Sequence, residues 1–82
     1  MWRTLIYYKP EYIDLAEKLR DNYIAHQKRA DILSEDEQDD IEYAREKLYD
    51  EAIFIEDSNT VIIHDIISCY TNRCPFSDVY YQ

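Results

Sequence analysis

Three side chains near the C-terminus are of metal-binding type. His64, Cys69 and Cys74 are spaced H-x4-C-x4-C, with Asp65 beside the histidine. Structural zinc takes four ligands, usually in tight C-x2-4-C or H-x3-5-H pairs. This spacing is looser and lacks an evident fourth ligand, so no metal is expected; a small metal-binding regulator is an alternative reading only. A Cys69–Cys74 disulfide is open geometrically. Two cysteines without a secretory leader do not make a disulfide framework, however, so reduced thiols are expected. His26 falls at the end of a helical pattern, where it suits the helix dipole. A general base would also need a nucleophile or a carboxylate in a cleft. Ser34 and Ser58 read as helix caps rather than nucleophiles. Asp39 and Asp40 are adjacent, so on a helix they face apart and do not share a proton. Asp57-Ser58-Asn59 lacks the glycine and closing glutamate of an EF-hand. The 82 residues contain no glycine, which removes the phosphate-binding and dinucleotide-binding loops. Neither an enzyme nor a cofactor is expected.

The informative chemistry is electrostatic. Twelve of the 18 acidic residues lie between Asp31 and Asp57, with only Arg45 and Lys47 among them, a net of −10. The other residues hold six acids and seven bases, a net of +1, so the formal charge of −9 belongs to one segment. Read as a helix, this segment puts Glu35, Asp39, Glu42, Glu46 and Asp50 in one line, opposite an apolar stripe of Ile41, Ala44, Leu48, Ala52 and Ile55. At about 1.5 Å per residue the line is about 22 Å long, and Asp36 and Asp40 flank it. One DNA strand carries a phosphate about every 3.4 Å, somewhat denser but of the same order. Like charges one turn apart oppose the helix by about 0.2–0.5 kcal/mol per pair, roughly 1–2 kcal/mol over the line. A solvated acidic face is the plain reading, and a surface for a basic partner is the functional one. Tyr43 and Tyr49 flank the line, either packing against neighbouring helices or serving as binding anchors.

In charge, size and tyrosine content the chain resembles the small acidic DNA-mimic inhibitors that phages use against restriction, repair or CRISPR nucleases. That resemblance implies a non-enzymatic inhibitor. It would sit in a basic DNA- or RNA-binding site of a partner protein, in the host cytoplasm, through Glu35, Asp36, Asp39, Asp40, Glu42, Tyr43, Glu46, Tyr49 and Asp50. Direct nucleic-acid binding is disfavoured because the net field repels phosphates. The bases of the first helix, Lys18, Arg20, Lys28 and Arg29, are expected to pair with acids of the second, across the helical hairpin or in a homodimer. A dimerising assembly module is therefore a second alternative.

The elements that must position these groups follow from length and pattern. Eighty-two residues make one small domain with room for one modest core. Apolar content of 46% excludes a disordered chain. No apolar run approaches 18 residues, so no membrane segment is expected, and the chain reads as soluble and cytoplasmic. Residues 2–8 are β-prone without alternating, and read as a short strand. Pro10 opens a helix over 11–29 with Tyr12, Leu15, Ala16, Leu19 and Tyr23 on one face. A capping box of Ser34 and Glu37 opens a second helix, 35 to about 55. Ile62, Ile63, Ile66, Ile67 and Tyr70 predict a third over 59–72. Without glycine, any left-handed residue is expected to be Asn or Asp. The expected fold is mainly α: an antiparallel helical hairpin plus a third helix, with a short strand pair from the two termini. The alternative is α+β with a hairpin at 52–64.

Overall fold

Thr4-Leu5-Ile6-Tyr7-Tyr8 is an apolar run without alternation. A strand loses alternation when both of its faces are covered, and this run is such a strand: all five residues are buried. The computed structural model describes residues 2–34 and 40–80, with the backbone alone at Asp40 and Ile41. The elements are β1 (Arg3–Tyr8), α1 (Ile13–Ala25), β2 (Arg29–Ser34), α2 (Asp40–Glu46), β3 (Glu51–Ile55), β4 (Thr60–Asp65) and β5 (Tyr70–Pro75). Short 3₁₀ turns precede α1 at Pro10–Tyr12 and follow β5 at Phe76–Val79. The five strands form one mixed sheet in the order β2-β1-β3-β4-β5. β1 runs parallel to β2 and β3, while β4 and β5 are added antiparallel. Ile6 faces Ile32 on one side and Ile53 on the other.

Parallel neighbours need crossovers, and the two helices supply them on opposite faces. Ala16, Leu19 and Tyr23 of α1 pack with Ile6, Tyr8, Ile53, Ile55 and Val61, and Phe76 and Val79 complete that layer. Ala44 of α2 packs on the other face with Leu5, Tyr7, Leu33, Tyr49 and Ala52. The fold is α+β, not the expected mainly α three-helix domain.

Each difference has a local cause. The first helix is shorter than its pattern, ending at Ala25 so that Arg29 can enter β2. The second helix does not span 35–55: α2 has seven residues and β3 follows. Leu48, expected on its buried stripe, is 77% exposed. Ala52 and Ile55 are both buried, but on opposite faces of the sheet. A short apolar run in a doubly covered strand mimics a buried helix segment in period, and pairing with β1 decided the conformation. The third helix is absent. Its segment is the antiparallel pair β3–β4 followed by β5, the hairpin arrangement weighed second for 52–64. Ile67 and Tyr70 of its supposed apolar face are 70% and 64% exposed. Nor do the termini pair: β1 is interior, and the C-terminal segment turns as a 3₁₀ helix. The N-cap residue Ser34 ends β2, and Glu37 lies outside the described residues.

The helix ends explain why the boundaries were concealed. Lys28 N–H donates to Tyr23 O (2.9 Å) and Gln27 N–H to Ile24 O (3.0 Å). Tyr49 N–H donates to Ala44 O (2.8 Å) and Leu48 N–H to Arg45 O (3.3 Å). Both sets are Schellman motifs, whose C′ residue must be left-handed and is usually glycine. Here it is Gln27 (φ 62°) and Leu48 (φ 64°). The third left-handed residue is Cys69 (φ 59°), in the β4–β5 turn. None is the Asn or Asp expected. Gln27→Gly and Leu48→Gly should each stabilise the fold by about 0.5–1 kcal/mol, since the relief at positive φ exceeds the added unfolded-state entropy. Thermal melts should then rise by several degrees per substitution.

Candidate interaction surface

The acids of the charged segment divide into those tied into the fold and those facing solvent. Asp50 is the most tied. Its Oδ2 accepts from Arg3 N–H (2.6 Å), its own N–H donates to Arg3 O (2.9 Å), and its carbonyl accepts from Ile66 N–H (3.0 Å). It joins the start of β1 to the entry of β3 and to the β4–β5 turn. Glu51 Oε1 accepts from the hydroxyl of Thr4 at 2.8 Å, which satisfies a side chain that is only 1% exposed. Asp31 Oδ2, on β2, accepts from Tyr49 OH at 2.6 Å. Outside the segment, Asp65 Oδ1 accepts from the Ile67 and Ser68 amides and shapes the β4–β5 turn.

Arg3 organises this end of the sheet. Its Nη1 donates to Lys47 O (2.8 Å) just past α2, and its guanidinium lies 4.4 Å from the centre of the Tyr49 ring. An arginine on the last carbonyls of a helix also complements its dipole. Tyr49 is buried, and it stacks on half-buried Tyr43 at 6.3 Å between ring centres. Burial, with the Asp31 carboxylate next in effect, pushes the Tyr49 phenol up to about 12 from its ordinary 10.0.

The nine candidate residues therefore do not form one line. Glu35, Asp36 and Asp39 lie outside the described residues. Asp40 opens α2, and Glu42 and Glu46 are exposed on it. Tyr43 and Tyr49 belong to the packing beneath α2 rather than projecting as anchors. Asp50 lies beyond the helix, in the backbone knot at the start of β3. Lys18 and Arg20 are on α1, across the sheet from α2, while Lys28 and Arg29 lie past the end of α1, with Arg29 opening β2. Arg20 pairs instead with Asp21 (3.3 Å), and Arg73 of β5 pairs with Glu56 (3.1 Å). Sequence reasoning missed Arg3, Asp31 and Glu51 as partners. Their polar types at strand starts and on an edge strand were the available signal.

His64, Cys69 and Cys74 also separate. His64 Nδ1 and Thr71 Oγ1 share a hydrogen bond of 3.0 Å across β4 and β5. Cys69 is an exposed free thiol, and Cys74 is half-buried on the α1 side of the sheet. Burial raises the Cys74 thiol above its usual range, with Asp78 adding to the effect. Arg45, His64, Asp65, Cys69, Tyr70 and Thr71 surround a hollow of about 120 Å³. Among the described residues no group of three His, Cys, Asp or Glu side chains could hold a metal ion, and no helix is long and apolar enough to cross a membrane. No protein-family model matches this chain, and no curated protein matches it.

Two measurements test the network. Tyr49 is protonated below pH 10.0, so its contribution to stability is intact there and is lost as pH rises through about 12. Tyrosinate absorbance should show a late-ionising residue that Tyr49→Phe removes. Asp50→Ala should cost about 1.5–3 kcal/mol in chemical denaturation, as expected for a lost hydrogen bond to a carboxylate.

Proposed function

We propose that this chain is a non-enzymatic interaction protein whose acidic surface engages a basic, nucleic-acid-binding site on a partner protein. The supporting observation is the charge itself: −10 over the segment from Asp31 to Asp57 in an 82-residue chain. Asp50 lies beyond α2, so the helical line inferred from the sequence does not reach it. Among the described residues, Glu42 and Glu46 stand one turn apart and exposed on α2. Burial of Ala44 fixes the orientation of the helix, so these carboxylates are presented by a packed element. A pre-ordered charged surface accelerates encounter with an opposite field and excludes like-charged competitors.

The reading makes a salt-dependent prediction. A basic partner captured from lysate at low ionic strength should be released by salt and displaced by duplex DNA. Glu42→Lys combined with Glu46→Lys should weaken capture by about tenfold or more, equivalent to about 1.4 kcal/mol. Capture that is indifferent to DNA or to both reversals would rule out the charge-mimic reading.

A further inference from the structure

The end of the sheet where β1 and β2 begin differs from the rest of the surface. Arg29, Arg3, Glu51, Asp65 and Tyr70 mark that end strand by strand through the pairing register. The connections that close it are residues 2–3, 24–31, 45–51 and 65–70. Six large apolar side chains are exposed among the described residues: Trp2 45%, Ile13 42%, Ile24 53%, Leu48 77%, Ile67 70% and Tyr70 64%. All but Ile13 lie at this end. They reach from one edge of the sheet to the other, about 19 Å for five strands at about 4.8 Å spacing.

The charges of the same connections cancel. They contain five bases and five acids, so the remaining residues, with thirteen acids and four bases, carry the whole −9. Four of the five acids here are also engaged: Asp31, Asp50, Glu51 and Asp65 each accept a hydrogen bond within the fold, while Glu46 is exposed at the end of α2. An end with no net charge and five exposed apolar side chains, on a strongly acidic body, is where two copies approach with least repulsion. Exposed apolar clusters of this kind mark association surfaces.

We infer that two copies of this chain associate end to end through this surface, in an isologous two-fold dimer. Trp2, Leu48, Ile67 and Tyr70 of each copy supply the apolar contact. A two-fold contact here places Glu46 at its rim and leaves the start of α2, with Glu42, outside it in both copies. The inference does not rest on the proposed partner, and the two readings respond oppositely to salt. Screening weakens capture through the acidic patch, whereas it relieves repulsion between two −9 chains and strengthens an apolar contact.

Sedimentation equilibrium of the full chain, from micromolar to millimolar, tests this at low and at high salt. The expected result is a monomer–dimer equilibrium that tightens with added salt. Leu48→Glu plus Ile67→Glu should weaken it by at least tenfold with the circular dichroism spectrum unchanged. Ile13→Glu, which adds charge at the opposite end, should weaken it much less. A chain that stays monomeric at millimolar concentration in high salt overturns the proposal. So does a dimer that salt dissociates, which would be ionic. So does a dimer unaffected by the double substitution. Should the double variant fail to fold, the salt response of the unmodified chain decides alone.

Discussion

The fold depends on the burial of β1 on all four sides. Its two edges are hydrogen-bonded to parallel strands, and its two faces are covered by helices of opposite layers. A buried backbone group without a partner costs roughly as much as a lost hydrogen bond, so an interior strand needs two neighbours. Parallel neighbours cannot be reached by tight turns. The chain must therefore leave β1, cross one face as α1, return as β2, and cross the other face as α2 before β3. The antiparallel extension β4–β5 needs only short turns and carries more exposed residues.

Turning a helix abruptly into a strand normally calls for glycine, and this chain has none. Gln27 and Leu48 take the left-handed position at the ends of α1 and α2. The conformational cost is tolerated because each turn is held by two backbone hydrogen bonds and delivers the chain to a buried strand. At α2, Tyr49 follows directly into the layer beneath the helix, while its hydroxyl reaches Asp31 and its ring receives Arg3. The same short stretch thus ends a helix, starts a strand and absorbs part of the acidic charge.

That arrangement also limits how the acidic charge can act. Carboxylates that seemed equivalent along one helix are of two kinds. Asp31, Asp50 and Glu51 accept hydrogen bonds that hold strand starts together. Glu42 and Glu46 are exposed on α2. Charge density by itself does not separate the two kinds; the position of each residue relative to β1 does.

Much of the local order was legible in the residues. The β-prone run of β1, Pro10 at the head of the first helical segment, and the buried face of Ala16, Leu19 and Tyr23 follow from propensity and period. The charge asymmetry was legible too, and it carries the functional proposal. What stayed hidden was non-local. Ala52 and Ile55 share a helical stripe on paper, yet they are buried on opposite sides of a strand. The residues over 60–70 satisfy a helical period, yet they pair with β3 and turn back. Sequence alone determined how charge is distributed along the chain and which face of α1 is buried. Tertiary structure decided which apolar runs became strands, because only β1, buried at the centre of the sheet, supplies the backbone partners that make β3 more favourable than a longer helix.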